Sequence, residues 1–336
     1  MIKEAINLLV GNIDLSESET AECMQEIMEG RATDSQIGSF LTALRVKGET
    51  VEEITGAARI MRDKAAKIRA PEGVLDTCGT GGDTSHTFNI STTTAIVVAA
   101  AGVPVAKHGN RAISSRSGSA DVLEALGVKI DLSPEKVEQC LFETGFGFLF
   151  APLFHPAMKY AIGPRRELGI RTIFNILGPL TNPADAKRQI LGVFSSKLTE
   201  TLARVLGNLG ADDAMVVHGE DGLDEITIST STKVSRFVNG RVENSYLAPI
   251  DFGLETGSIE DLVGGDKDEN ARITLSVLQG ERGHKRNVVL MNSAAALSVS
   301  GKVSSLPEAF EMVRDAIDSG NASKKLKEIK KVSHSL

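Results

Sequence analysis

The segment richest in chemistry is Asp76-Thr77-Cys78-Gly79-Thr80-Gly81-Gly82-Asp83, with three glycines in four positions. Glycine takes positive φ at no Cβ cost and lets backbone approach a ligand closely. Such a run can turn successive N–H groups into one concavity that binds an anion. An ordinary turn needs one or two glycines and no capping acid. The lysine of a P-loop is missing, so charge compensation for a phosphate must come from a divalent metal or from another segment. Asn89-Ile90-Ser91-Thr92 follows and reads as the start of a helix. Serine and threonine are good N-caps, which is a sufficient structural reason for them. A helix N-terminus facing a glycine loop is also an anion site, and its hydroxyls can reach phosphate or metal.

Three further groups carry polar chemistry. Lys107-His108-Gly109-Asn110-Arg111 ends the next expected strand, and Ser114-Ser115-Arg116-Ser117-Gly118-Ser119 completes its loop. Asp224-Glu225 comes shortly after the strand ending at Val217-His218. Adjacent acids in a loop are usually just solvated, but magnesium is commonly held by one or two carboxylates together with substrate phosphates. Arg165, Arg166 and Arg171 lie in a proline-bounded helical stretch. A guanidinium fork suits a carboxylate, although arginines in a helix more often form salt bridges.

The elements that must position these groups can be read from the pattern. Ser16-x-x-Glu19, Thr33-x-x-Gln36 and Thr50-x-x-Glu53 are capping-box signatures before helical periodicity, and no strand signal appears in this region. Ala70-Pro71-Glu72-Gly73 reads as a hinge. Strands and helices then alternate: Val74–Cys78, Ser91–Ala101, Pro104–His108 and Ser119–Leu126, and again Gln189–Phe194, Lys197–Leu209 and Ala214–His218. This alternation implies a mainly parallel sheet, whose ligands bind beyond the carboxyl ends of its strands. The expected fold is therefore α/β: a small N-terminal all-α domain hinged to a larger α/β domain with a central, mainly parallel sheet. Residues 1–70, joined by a helical insertion of about 155–186, form the first; 73–154 and 187–336 form the second. The last forty residues read as helical, and Lys324–Lys331 as a solvated basic face.

Composition narrows the class. Hydrophobic residues make up 41% and charged residues 24%, a globular balance. There is no Trp, aromatics are 4% and the net charge is −7, all of which argue against a base-stacking nucleic-acid binder. Cys23, Cys78 and Cys140 are odd in number and widely spaced, which suits a reduced cytoplasmic protein. No signal peptide is apparent, and the most apolar run, Ala95–Val105, is too short to span a bilayer.

Taken in order, these segments resemble the anthranilate phosphoribosyltransferase family, whose enzymes perform the second step of tryptophan biosynthesis. The resemblance rests on Gly79–Asp83, Asn89–Thr92, Lys107–Arg111, the long stretch Arg165–Pro183, and Val217-His218-Gly219 leading to Asp224-Glu225. It runs over nearly the whole chain. It implies a homodimer that joins 5-phosphoribosyl 1-diphosphate to anthranilate with two magnesium ions per monomer. Gly79, Gly82, Asp83, Thr87, Asn89, Ile90, Ser91, Thr92, Lys107 and Ser119 would contact phosphoribosyl diphosphate. Ser91, Asp224 and Glu225 would hold metal; Gly79, Asn110 and Arg165 would face anthranilate; Lys107 and His108 would assist the chemistry.

Elementary chemistry agrees with that expectation. Diphosphate leaving an anomeric carbon generates an oxocarbenium-like centre, so leaving-group charge is what needs stabilising. An aromatic amine attacks through its own lone pair, and no activated serine or cysteine is apparent. Two other readings compete. A pyrimidine nucleoside phosphorylase shares the architecture, and Ser115–Glu124 faintly resembles its signature, but it needs neither Asp224-Glu225 nor Arg165–Pro183. A non-enzymatic, nucleic-acid-binding relative of the fold would carry a basic surface. A dinucleotide dehydrogenase is weaker still, because Gly145-Phe146-Gly147 lacks a glycine at Phe150.

Overall fold

The computed structural model describes residues 1–83, 85–112 and 116–336. Four helices open the chain: α1 (Ile2–Val10), α2 (Glu17–Met28), α3 (Asp34–Lys47) and α4 (Val51–Asp63). The three anticipated capping boxes form in full, at Ser16/Glu19, Thr33/Gln36 and Thr50/Glu53. Each satisfies two backbone donors that the first helical turn leaves unpaired. Leu9, Met24, Ile27, Phe40, Leu41, Leu44 and Ile54 fill the centre of the bundle.

Among the described residues, seven strands form one sheet: β1 (Leu75–Gly79), β2 (Val105–Gly109), β3 (Phe146–Phe150), β4 (Arg188–Gly192), β5 (Asp213–Gly219), β6 (Thr232–Val238) and β7 (Arg241–Leu247). Their order is β3-β2-β1-β4-β5-β6-β7. The first five strands in chain order pair in parallel, whereas β6 and β7 are antiparallel. Four of these strands lie within two residues of the expected positions. The other three were not expected. β3 is a short phenylalanine-rich run, FGFLF, in which only the glycine pattern stands out from the sequence. The β6–β7 hairpin turns at Asn239-Gly240, with φ of 52° and 77°, and an Asn-Gly pair between alternating residues is a strong hairpin signal.

Helix α5 (Ile90–Ala100) is buried along almost its whole length between the sheet and the C-terminal helices. Further along come α6 (Ser119–Ala125), α7 (Pro134–Thr144), α8 (Ala151–Phe154), α9 (Lys159–Leu168), α10 (Phe174–Leu177) and α11 (Leu198–Asn208). The chain ends in α12 (Lys267–Leu278), α13 (His284–Ser300), α14 (Leu306–Asp318) and α15 (Asn321–Ser335). Helix α9 packs on α2 and α3, and α10 on α4. The bundle's apolar core continues through Phe174, Leu177 and Leu180 to Leu191, Leu202 and Val216. Helix α13 lies against α5, β4 and β5 on the other face of the sheet.

This topology decides where a ligand can sit. From β1 the chain steps outward to β2 and β3; β4 then returns to the other side of β1 and leads to β5. The loops leaving β1 and β4 therefore part in opposite directions. In open α/β sheets the crevice at such a switch point is where ligands bind.

The bundle contains one buried ion pair with a definite task. Glu53 is fully buried; its Oε1 accepts the Leu15 N–H at 2.9 Å, and its Oε2 accepts the Thr50 N–H at 2.9 Å and the Lys47 ammonium at 3.0 Å. Glu53→Ala removes all three bonds and leaves Lys47, whose side chain is 3% exposed, with only Asp14 at 2.7 Å and the Gly48 carbonyl at 2.8 Å. Losing one partner of such a pair costs roughly 3–5 kcal/mol. Urea denaturation of the variant should show that loss, and a cost below about 1 kcal/mol would mean the pair is not holding the bundle.

Candidate functional site

The carboxyl ends of β1 and β4 meet at Gly79 and Gly192, which are directly paired in register. Beyond β1, Thr80 donates its N–H to the Gly192 carbonyl at 2.9 Å and accepts the Phe194 N–H on Oγ1 at 3.1 Å. Gly81 and Gly82 then adopt φ of +66° and +81°. Gly79 does not need positive φ, contrary to the simplest reading of the glycine run. Its missing side chain serves proximity instead: a Cβ there would stand 2.9 Å from Asp224 Oδ2. At Gly192 a Cβ would lie 1.5 Å from the Asp224 carbonyl oxygen. The Gly81 N–H donates to Asp224 Oδ2 at 2.8 Å, so the nest already cradles an anionic oxygen.

Asp224 and Glu225 thus belong to the site, although they are separated in sequence from the glycine loop. Glu225 Oε1 accepts the N–H of Ser91 at 3.1 Å, in the first turn of α5, where the helix dipole favours an anion. Burial raises the pKa of both carboxyl groups; Asp83 adds to this for Asp224, and Asp224 for Glu225. Three acids therefore crowd one corner, and one of Asp83's oxygens (Oδ2) is buried without a hydrogen-bond partner among the described residues. Among the described residues, no three acidic, His or Cys side chains already encircle a single point. The donors nonetheless fit a hard divalent cation, which takes carboxylate oxygens and leaves positions for phosphate and water.

Lys107 lies under the loop, not open within it. It is 1% exposed and donates to the Thr77 carbonyl and to Ser91 Oγ, the latter at 3.3 Å. Burial lowers its pKa, opposed by Asp76, Cys78 and Glu225. Asp76 is also buried, which pushes its pKa up to about 6 against the pull of Lys107 and its hydrogen bonds. It accepts the His108 N–H at 3.2 Å and an Asn182 N–H at 2.8 Å. This polar layer keeps Lys107 and His108 at fixed heights beneath the crevice.

His108 and His155 form a ring pair with centroids 5.0 Å apart. His108 Nδ1 lies 3.1 Å from the Gly178 carbonyl, and the Nε2 atoms of both rings are buried without partners among the described residues. Burial lowers the pKa of His108 to about 3, with His155 adding to the effect, and that of His155 to about 4. Both rings are neutral near pH 7, and an Nδ1–H on His108 leaves its Nε2 with a free lone pair.

Arg165 is half-buried over the ring of Phe174, 5.0 Å from its centroid. Among the described residues no carboxylate lies within salt-bridge distance of it. Arg171 stacks on Phe194 at 4.3 Å and donates to the Gly82 carbonyl, tying the helical insertion to the glycine loop. Asn89 donates to the Ser117 carbonyl at 3.2 Å and accepts from Asn270 at 3.0 Å, a partner from α12. Thr87 forms a β-bridge with Val263, and Ile90 is buried, with only backbone to offer. Thr92 Oγ1 is buried without a partner. Ser119 Oγ donates to the Asn110 carbonyl at 3.3 Å, while Asn110 Oδ1 accepts the Arg111 N–H at 2.8 Å. Ser114 and Ser115 lie outside the described residues.

Comparison with known proteins gives the same picture from an independent direction. Residues 3–65 match a model described as the glycosyl transferase family, helical bundle domain, and residues 71–323 the a/b domain of the same family. An anthranilate phosphoribosyltransferase of Acetivibrio thermocellus is 58% identical over 336 residues, covering 100% of this chain and 97% of the relative. The chain belongs to the anthranilate phosphoribosyltransferase family. The crystal structure of the Thermus thermophilus member superposes with a TM-score of 0.93 at 42% identity, covering 98% of this chain and 99% of that one. The Saccharomyces cerevisiae member in complex with PRPP and Mg gives 0.91 at 30% identity, covering 100% and 98%. The same yeast protein with 4-fluoroanthranilate gives 0.90 at 29%, with the same coverage.

For a phosphoribosyltransferase of this family, two features of the crevice were not anticipated. His155 and Asn270 approach from distant segments, and nothing local in their sequence marks them. His155 carries a consequence for stability. Below the ordinary histidine pKa of 6.5, the unfolded chain takes up protons that folded His108 and His155 refuse. The contribution of the two histidines is therefore complete above pH 6.5 and is lost as pH drops toward about 4 for His155 and about 3 for His108. Each excluded proton steepens that fall by at most about 1.4 kcal/mol per pH unit. Chemical denaturation at a series of pH values should give a shallower acid loss for His155→Gln than for the natural chain; parallel curves would show that His155 is protonated in the fold.

Proposed function

We propose that this chain transfers the phosphoribosyl group of 5-phosphoribosyl 1-diphosphate to the amine of anthranilate, releasing diphosphate and N-(5-phosphoribosyl)anthranilate. The observation that carries this reading is the positive-φ glycine nest at the sheet's switch point, which holds a carboxylate oxygen of Asp224, one of three crowded acids. A nucleoside phosphorylase has no use for such an acid cluster.

We assign the diphosphate to the N–H groups of the glycine loop and the start of α5, with Gly79, Gly82, Asp83, Thr87, Asn89, Ile90, Ser91, Thr92, Lys107 and Ser119 around the substrate. Lys107 contributes positive potential from below. Ser91, Asp224 and Glu225 would hold magnesium, two ions per monomer, with Asp83 close by. Magnesium in that position would neutralise charge on the departing diphosphate. Gly79, Asn110 and Arg165 would orient anthranilate, the guanidinium of Arg165 pairing with the carboxylate. The carbon–oxygen bond to diphosphate breaks as the amine nitrogen bonds to the anomeric carbon. We assign the proton that the nitrogen then loses to the bare Nε2 of His108, supported by its neutral ring and missing partner. The assembly is read as a cytoplasmic homodimer that requires magnesium.

The direct test is to mix protein, magnesium, phosphoribosyl diphosphate and anthranilate and to follow the loss of anthranilate fluorescence. No loss with correctly folded protein would sink the proposal. Asp224→Asn and Glu225→Gln should fold yet lose most of the rate, with excess magnesium partly restoring the milder variant. Wild-type rates in both at low magnesium would remove the metal assignment. Arg165→Ala should raise the KM for anthranilate by about thirty- to a hundredfold, the worth of a charge-assisted contact of roughly 2–3 kcal/mol. The KM for phosphoribosyl diphosphate should stay within about twofold. Lysine at the same position should recover only part, having no planar fork. A loss of melting temperature with both KM values unchanged would move the carboxylate role elsewhere.

A further inference from the structure

Ile226 follows Glu225 directly and lies outside any strand, so neither of its backbone groups has a ladder partner. A single side chain holds both. Asn292, in the middle of α13 and 1% exposed, accepts the Ile226 N–H on Oδ1 at 3.0 Å and donates from Nδ2 to the Ile226 carbonyl at 2.9 Å. Nδ2 also donates to the Val288 carbonyl at 2.9 Å. The amide thus replaces a missing neighbouring strand for one peptide. Its surroundings on α13, Val288, Met291, Ala295 and Ala296, are buried and apolar, and an amide is tolerated there only because its hydrogen bonds are made. On the other flank, Asp221 Oδ1 accepts the Leu223 N–H at 3.2 Å, and Oδ2 accepts Thr227 Oγ1 at 2.5 Å and Ser229 Oγ. The two acids therefore sit on a short segment gripped from both sides.

We infer that Asn292 and Asp221 are positioning residues for the Asp224-Glu225 pair: they touch no substrate, but fix the backbone on each side so that Asp224 stands over the glycine loop and Glu225 at the first turn of α5. The inference rests on reading Asp224 and Glu225 as magnesium ligands. Backbone fixation matters here because a carboxylate displaced by a fraction of an ångström no longer shares a cation with a phosphate held by the nest. Outer groups of this kind typically change metal affinity by ten- to a hundredfold when removed.

Calorimetric titration of phosphoribosyl diphosphate at a series of magnesium concentrations tests this without relying on turnover. Asn292→Leu and Asp221→Asn should each raise the magnesium midpoint by about tenfold, while the KM for anthranilate stays put. Val299→Ala, a buried truncation on the same helix, should lower the melting temperature without moving the midpoint. A folded Asn292→Leu with the natural midpoint overturns the inference. If that variant does not fold, Asp221→Asn decides alone, and an unmoved midpoint there overturns it equally. Glu225→Gln run alongside separates the two levels. If it too leaves the midpoint unmoved, the metal reading has failed; if it alone moves, the positioning role has failed.

Discussion

The arrangement depends on one close approach. Asp224 can hang over the ends of β1 and β4 only because Gly79 and Gly192 carry no side chain, and at Gly192 even a methyl group would overlap the Asp224 carbonyl. That approach brings a carboxylate from the β5–β6 connection onto the N–H of Gly81 and its neighbour Glu225 onto the first turn of α5. Two anion-binding devices, a nest and a helix N-terminus, are thereby aimed at one corner. They offset only part of the cost of burial and of the repulsion among Asp83, Asp224 and Glu225, which together raise the pKa values of Asp224 and Glu225. Strongly perturbed carboxyl groups in a crevice mark a place built for a charge partner.

Around that corner the molecule is tied together by backbone carbonyls more than by ion pairs. Arg171 reaches from the helical insertion to the Gly82 carbonyl while stacking on Phe194. Arg62 of α4 donates to the carbonyls of Leu180 at 2.7 Å and Leu209 at 3.1 Å. Arg59 does the same for Asn208 at 2.8 Å, at the end of α11. Cations at a helix C-terminus complement its dipole, so these arginines dock α4 on α11, and each also pairs with an acid, Arg59 with Glu17 at 2.5 Å and Arg62 with Asp185 at 3.2 Å. Arg165 differs from them: it lies on Phe174 with its burial uncompensated, and its pKa is lowered accordingly. A half-buried guanidinium held by an aromatic face retains its fork for a carboxylate.

How much of this was legible depended on how local each determinant is. The capping boxes of α2, α3 and α4 are written within four residues, and they formed as read. The glycine loop was equally visible, but its glycines do different work: Gly81 and Gly82 supply positive φ, whereas Gly79 supplies space for a residue 145 positions away. The Asn239-Gly240 turn announced the β6–β7 hairpin, a local signal that went unused. His155, Asn270 and Asn292 carry no local mark. Their roles arise where distant segments meet, His155 against His108, Asn270 on Asn89, and Asn292 on Ile226. A lone histidine or asparagine in a helical region is more often an ordinary polar residue, and only tertiary contacts distinguish these three.

The polar layer beneath the crevice follows from the same economy of charge. An amine nucleophile needs no stronger base to generate it, so the protein can keep His108 neutral; burial together with His155 does so. A leaving diphosphate needs positive potential that does not compete with water, and Lys107 is a cationic side chain 1% exposed beneath the glycine loop. An ammonium there would be costly without Asp76, which lies in the same layer and is itself held by Asn182 and the His108 backbone. Asp76 therefore does two things at once: it opposes the lowering of the Lys107 pKa by burial, and it holds the backbone of His108. Lysine and histidine are adjacent on β2, so their side chains point to opposite faces of the sheet. Lys107 turns toward α5 and the glycine loop, and His108 toward Gly178 and the helical insertion. One strand thus presents an ammonium to one face of the sheet and a neutral imidazole to the other.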